Sequence, residues 1–187
     1  MSTPMPQQSP QFTALVHACA THLRGADARE LRLAFEPPAQ GGDEPTTEQL
    51  EVVYGAARRL CNDDNYRFAA ALALHLATYR PKEPRYTFMA GICLQHVGAF
   101  ANAAKFYCLA LGHGGDNPAA LYRLGECLLA LGDKVNAEKA LDAAFEASRE
   151  VEGAAPLQAI AQDLLDSIRK ASRQGYSPVA ERSGAQR

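Results

Sequence analysis

Histidine and cysteine are the residues best suited to bind a metal ion or act as a nucleophile, and the chain has five of each. The histidines show no H-E-x-x-H motif or other metal-site spacing. The cysteines include no C-x-x-C pair, so the sequence predicts reduced thiols buried as small apolar side chains. These residues are His17, His22, His75, His96, His113, Cys19, Cys61, Cys93, Cys108 and Cys127. We therefore predict no metal ion and no cofactor.

One glycine-rich segment has the composition, but not the context, of a phosphate-binding loop. Gly112-His-Gly-Gly115 lacks the Lys-Ser/Thr pair of such a loop and follows no predicted strand, so we interpret it as the end of a helix. Cys61 or Cys108 would need a partnered base to act as a nucleophile, and the sequence shows none. An enzymatic function is not expected.

Composition narrows the class of protein further. There are 19 basic and 21 acidic residues, which is not the basic excess of a nucleic-acid-binding protein. No apolar run is long enough for a transmembrane helix, so we expect no direct membrane insertion. The first ten residues lack the basic and apolar regions of a secretory signal, and we expect a cytoplasmic protein.

From about residue 50 onward, small and apolar residues recur every 34 residues. The matching sets are Ala57, Gly91 and Gly125; Ala69, Ala103 and Ala137; and Leu60, Leu94 and Leu128. This period with a helix–turn–helix pattern is typical of tetratricopeptide repeats. A helical glycine costs about 1 kcal/mol relative to alanine, so we expect Gly91 and Gly125 where the two helices of a unit approach closely.

The predicted fold is all-α, an α-solenoid of three tandem repeats with N-terminal helices and a C-terminal capping helix. The units span about 50–83, 84–117 and 118–151, with first helices near 48–61, 84–97 and 118–131 and second helices near 66–79, 100–112 and 134–148. Thr46 and Gln49 fit a capping box at the start of the first unit. Pro156 opens the capping helix, whose apolar stripe comprises Leu157, Ile160, Ala161, Leu164, Leu165 and Ile168.

The regions outside the repeats differ in composition. We predict a disordered N-terminus at 1–9, an N-terminal helical region and linker at 10–45, the repeat domain with its capping helix at 46–172, and a flexible tail at 173–187.

The first helix of each repeat lines the concave side of such a stack, and its fifth residue points into the groove. Those residues are Tyr54, Phe88 and Tyr122; the ninth are Arg58, Ile92 and Glu126, and the twelfth are Cys61, Gln95 and Leu129. Aromatic side chains in a groove form an apolar surface for an extended peptide. The alternative is that these aromatics pack on the N-terminal helices or on each other.

Three segments carry a more specific resemblance, to the class II (translocator) chaperones of bacterial type III secretion, the SycD/LcrH/IpgC-like tetratricopeptide-repeat family. They are Leu50-Glu-Val-Val-Tyr54 through Arg80-Pro-Lys-Glu-Pro-Arg-Tyr86, Gly91-Ile-Cys-Leu-Gln95, and Glu126-Cys-Leu-Leu-Ala-Leu-Gly-Asp-Lys134. The most specific pieces are Pro84-Arg85-Tyr86 and Ala137-Glu138. The resemblance covers roughly residues 45–170.

The resemblance implies a cytoplasmic chaperone that keeps hydrophobic translocator proteins soluble and ready for secretion. It implies a groove that takes an extended N-terminal translocator segment, in which Tyr54, Phe88, Tyr107 and Tyr122 match aromatic positions, whereas Arg58 stands where the family often has an apolar residue. The predicted client-binding groove as a whole comprises Tyr54, Arg58, Arg85, Phe88, Ile92, Gln95, Tyr107, Tyr122, Glu126 and Leu129. Many members dimerise through the N-terminal helical region, which makes Phe12, Leu15, Val16 and Leu23 candidates for a homodimer interface.

A second hypothesis remains open. The chain could be a general repeat scaffold that joins soluble protein partners. A clamp of Lys, Asn and Arg that grips a C-terminal carboxylate is not expected, because Tyr54, Phe88, Ile92 and Tyr122 occupy several of its positions.

Overall fold

The computed structural model describes residues 45–175, with side chains to residue 171. This part of the chain forms helices only. They are α1 Thr47–Asn62, α2 Tyr66–Tyr79, α3 Pro84–His96, α4 Phe100–Gly114, α5 Pro118–Ala130, α6 Lys134–Arg149 and α7 Ala155–Gly175. The first six form three pairs, and their ends differ from the predicted ends by no more than two residues.

Local sequence signals fix where these helices begin. The predicted capping box is confirmed: the Gln49 backbone N–H donates to Thr46 Oγ1 at 3.2 Å, and the Thr46 backbone N–H donates to Gln49 Oε1 at 2.8 Å. Pro84 and Pro118 occupy the first helical positions of α3 and α5, where a missing N–H costs nothing. The Asn117 side chain accepts from the first free backbone N–H groups of α5.

The helices group into two compact units, one ending at Gly115 and the other beginning at Asp116. In the first unit, α1 to α4 bury one apolar core. Its fully covered side chains are small or aliphatic, and include Leu50, Val53, Ala57, Leu60, Ala69, Leu72, Ala73, Leu76, Ala90 and Cys93. The alanines let neighbouring helices approach closely, as the repeat pattern predicts.

The two mid-helix glycines lie where the helices of a pair meet, as expected. A Cβ on Gly91 would lie 2.6 Å from Cε1 of Tyr107, and one on Gly125 would lie 2.7 Å from Cγ of Leu141. In both pairs the nearest obstacle is a large buried side chain of the second helix. Each glycine therefore makes room for a side chain, and does not simply bring two backbones together.

In the second unit, α7 packs on α6 through part of the predicted stripe. Ala161, Leu165 and Ile168 are buried, whereas Ile160 is 46% exposed. The prediction for Ile160 is wrong. The buried residues Ala161, Leu165 and Ile168 follow one another at spacings of four and three residues, and Ile160 lies outside the face that they form. Arg169 also joins the two helices, with Nε 2.7 Å from Glu138 Oε1 and Nη2 3.0 Å from Asp142 Oδ1.

The predictions for residues 1–44, including the dimer candidates Phe12, Leu15, Val16 and Leu23, lie outside the described residues. So does the predicted tail beyond Gly175, and the division into regions stays a prediction. None of the helices in residues 45–175 combines the length and apolar character needed to cross a bilayer.

Candidate functional site

Tyr54, the fifth residue of the first repeat, lies on α1 and is half-buried. Its ring packs against the core of the first unit, 5.5 Å from the ring of Tyr86 between centroids. The guanidinium carbon of Arg85 lies 5.4 Å from the Tyr54 centroid, a distance at which a cation is attracted to an aromatic face. Tyr54 therefore offers one side to solvent while its other contacts hold the ring in place.

A polar cluster, here called the clasp and formed by Glu51, Arg85 and Tyr86, joins α1 to α3 beside Tyr54. Arg85 Nη2 lies 2.8 Å from Glu51 Oε1, and the Tyr86 hydroxyl donates to the same oxygen at 3.0 Å. A further bond at 3.0 Å joins Arg85 Nε to Glu83 Oε1. Two carboxylates therefore hold the Arg85 guanidinium beside the Tyr54 ring.

The clasp changes the protonation equilibria of its members. The hydrogen bond from Arg85 lowers the pKa of the Glu51 carboxyl, with a further contribution from Tyr86. Burial and the negative Glu51 raise the pKa of Tyr86 to about 12. At neutral pH the carboxylate is ionised and the phenol is protonated, which is the state in which both hydrogen bonds form.

Phe88, the fifth residue of the second repeat, is half-buried on α3, and its ring lies 5.7 Å from that of Tyr107. Tyr107 is fully buried, and its hydroxyl donates to Gln95 Oε1 at 2.7 Å. The structure places Tyr107 in the core and not on a binding surface, because its ring fills the space that Gly91 leaves open. Its contribution is to position Phe88 and Gln95.

The other predicted site residues of the first unit are at least partly accessible. Arg58 is exposed, and Ile92 and Gln95 are half-buried. The first unit thus carries partly exposed Tyr54, Phe88 and Ile92 together with a basic side chain. Such a mixture can bind an apolar segment and add a charged contact.

In the second unit, Tyr122 and Leu129 are half-buried against the cluster formed by Leu141, Leu165 and Ile168. Burial, followed by the nearby Glu126, raises the pKa of the Tyr122 phenol. Glu126 accepts from Arg123 Nη1 at 3.2 Å. Tyr122 thus packs against side chains of α6 and α7. Its repeat position alone predicts a residue that faces the groove, but part of its surface contributes to this packing.

The cysteines differ from the prediction of uniformly buried thiols. Cys93 and Cys127 are buried, but Cys61 is half-buried and Cys108 is exposed. The prediction is wrong for Cys108, because it lies on an exposed face of α4. Cys61 Sγ lies 3.3 Å from Cys93 Sγ and 3.7 Å from Met89 Sδ.

Within residues 45–171, no three His, Cys, Asp or Glu side chains converge as metal ligands do. His96 is exposed, and its ring stacks on Tyr66 with centroids 3.8 Å apart. His75 contacts Tyr79 edge to face at 4.5 Å. Both imidazoles thus have aromatic packing contacts.

Glu51, which accepts hydrogen bonds from Arg85 and Tyr86, was not among the residues predicted for the site, although the sequence contains a signal for it. Glu51 and Arg85 are 34 residues apart, so they occupy the same position in consecutive repeats. Opposite charges at equivalent positions of adjacent repeats indicate an ion pair between neighbouring first helices. The Cys61–Cys93 contact has no such signal, because its spacing of 32 residues does not match the repeat.

Comparisons with family models and with curated proteins found no match. Solved structures do match. SycD from Yersinia enterocolitica in complex with a peptide of the translocator YopD is 22% identical, with a TM-score of 0.66, over 70% of this chain and 99% of SycD. PcrH in complex with the chaperone binding region of PopD is 21% identical, with a TM-score of 0.66, over 68% of this chain and 96% of PcrH.

A third similar structure is the first repeat domain of Spaghetti bound to an HSP90 peptide. It is 17% identical, with a TM-score of 0.60, over 68% of this chain and 96% of that domain. At these identities the likeness establishes the fold. The chain has an all-α tetratricopeptide-repeat fold of the kind found in the type III secretion translocator chaperone SycD and in PcrH.

Proposed function

We propose that this protein is a cytoplasmic chaperone of a type III secretion system, and that it keeps a hydrophobic translocator soluble until secretion. The observation that carries the proposal is the pair of partly exposed aromatics, Tyr54 and Phe88, at the same position of adjacent repeats. The fold supports it, because the similar chaperone SycD binds a peptide of the translocator YopD, and the similar PcrH binds the chaperone binding region of PopD.

The surroundings of the two aromatics favour binding of an extended segment. Tyr54 is held by the clasp, and Phe88 rests on the buried ring of Tyr107. Side chains fixed in this way lose little conformational entropy on binding, so more of the interaction energy appears as affinity. Ile92 adds aliphatic surface on α3, which suits a segment with spaced apolar side chains.

In the second unit, we propose that Tyr122, Glu126 and Leu129 contribute to client binding. Their partial exposure supports contact with a client, while their packing on the cluster of the second unit supports a structural contribution as well. We further propose a homodimer through Phe12, Leu15, Val16 and Leu23, as in the family that the sequence resembles.

The scaffold hypothesis has one observation in its favour, the likeness to a repeat domain that binds an HSP90 peptide. A scaffold of that kind would bind soluble partners. The apolar character of Tyr54, Phe88 and Ile92 favours the chaperone, because apolar pockets select apolar segments.

Co-expression with the translocator proteins of the same secretion system would test the proposal. We expect the wild-type chain to keep a translocator in the soluble fraction and to co-purify with it. Tyr54→Ala with Phe88→Ala should abolish both effects without loss of helical circular dichroism.

A matched control is Leu109→Ala, which removes a 45% exposed apolar side chain outside the candidate set. It should behave as the wild type. Equal retention of the translocator by the double variant and the wild type would reject the site. Recovery of soluble partners alone would favour the scaffold.

A further inference from the structure

The two thiols of Cys61 and Cys93 form a contact between α1 and α3 that the proposed chaperone function does not use. Their sulfur atoms are 3.3 Å apart, and Cys61 Sγ is also 3.7 Å from the Met89 thioether. A disulfide needs a separation of about 2.05 Å, so the two sulfurs must approach by only about 1.2 Å in total.

The two thiols differ in access. Cys93 is fully buried in the core of the first unit, whereas Cys61 is half-buried and can be reached from solvent. This is the arrangement of an attacking thiol backed by a resolving thiol, in which the accessible sulfur meets the oxidant first.

We propose that Cys61 and Cys93 are a redox-active dithiol, a modification site at which a peroxide introduces a reversible disulfide that links α1 to α3. Tyr54 lies on α1 with Cys61, and Phe88 lies on α3 with Cys93. A disulfide between the two cysteines would therefore restrain the relative motion of the two helices that carry these candidate binding residues.

The electrostatics of the pair agree with these roles. The hydrogen bond with Cys93 lowers the pKa of the Cys61 thiol, although burial opposes this. The same hydrogen bond, followed by burial, raises the pKa of Cys93. Because Cys61 is the less buried of the two sulfurs, we assign to it the attack on the oxidant, and Cys93 keeps its proton until the second step.

The chemistry with hydrogen peroxide balances in two steps. The Cys61 thiolate attacks one peroxide oxygen, an S–O bond forms, the O–O bond breaks, and the hydroxide that leaves takes up the proton that Cys61 had released. Cys93 Sγ then attacks Cys61 Sγ, the S–S bond forms, and the S–O bond breaks. The hydroxyl leaves as water with the Cys93 proton. Two thiols are oxidised, and one peroxide is reduced to two waters.

The test is peptide mapping of the full-length chain after treatment with hydrogen peroxide and quenching with an alkylating agent. Trypsin places each cysteine in a separate peptide, with Cys61 in 60–67 and Cys93 in 86–105. We expect a linked 60–67/86–105 pair as the main oxidised product, and its loss on treatment with dithiothreitol. The link should also raise the melting temperature by roughly 5 to 10 °C.

Two variants separate the roles, and two others are controls. Cys93→Ser should leave Cys61 as a sulfenic acid that dimedone traps, whereas Cys61→Ser should leave Cys93 reduced. Cys108→Ser and Cys127→Ser should form the link as the wild type does. The peptide map of the wild type tests the proposal even if a variant fails to fold. Oxidation in urea is a further control, because in the unfolded chain the preference for the Cys61–Cys93 link should disappear.

The proposal is overturned if Cys61 and Cys93 remain reduced while the exposed Cys108 is already oxidised. A dominant link from either sulfur to Cys19 or Cys108 would overturn it as well. Both the peptide map and the melting temperature are measured without a client, so this outcome is independent of the chaperone function.

Discussion

At the scale of single residues, Gly91 lies against the buried ring of Tyr107. We therefore predict that a larger residue at position 91 destabilises the protein. In Gly91→Ala the new Cβ would be 2.6 Å from Cε1 of a ring that is fully enclosed. Overpacking of this kind costs about 1 to 3 kcal/mol, although the better helix propensity of alanine offsets part of it. We expect a lower free energy of unfolding in urea denaturation.

Gly55 provides the matched control, because a Cβ there would meet only the flexible end of Arg59 at 3.7 Å. Gly55→Ala should raise the free energy of unfolding by up to about 1 kcal/mol. If both variants gain stability, the interpretation of Gly91 as a space-making residue is wrong.

His75 gives a pH-dependent prediction at the same scale. Burial lowers the pKa of its imidazole to about 4 from an ordinary value of 6.5. Between these values the unfolded chain binds a proton that the folded chain does not. The contribution of neutral His75 to stability is therefore complete above pH 6.5 and declines as the pH falls towards 4.

We expect His75→Phe, which keeps an aromatic ring next to Tyr79, to lose less stability than the wild type between pH 7 and pH 4.5. Thermal melts over this range would measure the difference. The exposed His113→Gln should follow the wild type. If the melting temperatures of His75→Phe and the wild type fall in parallel as the pH is lowered, the lowered pKa of His75 is wrong.

At the scale of elements, α7 should stabilise the second unit through its buried stripe. Leu165 is 1% exposed and packs with Leu141 and Ile168. Leu165→Ala should cost about 2 to 5 kcal/mol, because it removes buried methyl groups and leaves a cavity. Urea denaturation monitored by helical circular dichroism would measure it.

Ile160→Ala, on the same helix, serves as the control, since Ile160 is 46% exposed. Its cost should stay below about 1 kcal/mol. Equal costs for the two variants would mean that α7 does not pack as the structure describes.

The helix pairs could be predicted from the sequence because their signals are local. Thr46 and Gln49 form a capping box within one turn, and Pro84 and Pro118 mark helix starts by their own geometry. The repeat spacing then supplies the pairing of the helices. Ile160 was wrongly assigned to the buried stripe of α7, because the sequence alone does not show which face of that helix packs on α6.

The candidate site was less predictable, because its geometry depends on contacts between helices. The sequence identified Tyr54 and Phe88 by their shared repeat position, and the structure leaves both partly exposed. It did not reveal that Tyr107 is enclosed, since burial of a side chain on α4 depends on the gap opposite Gly91. Nor did it reveal the contact of Cys61 with Cys93.

At the scale of the whole molecule, the central claim is that Phe88 contacts an apolar client segment. The most direct measurement is site-specific photo-crosslinking, with benzoyl-phenylalanine at position 88 or, as the control, at position 109, in cells that express the translocators. We predict a cross-link to a translocator from position 88 and none from position 109. Cross-linking from position 109 alone, or only to soluble proteins from position 88, would contradict the account.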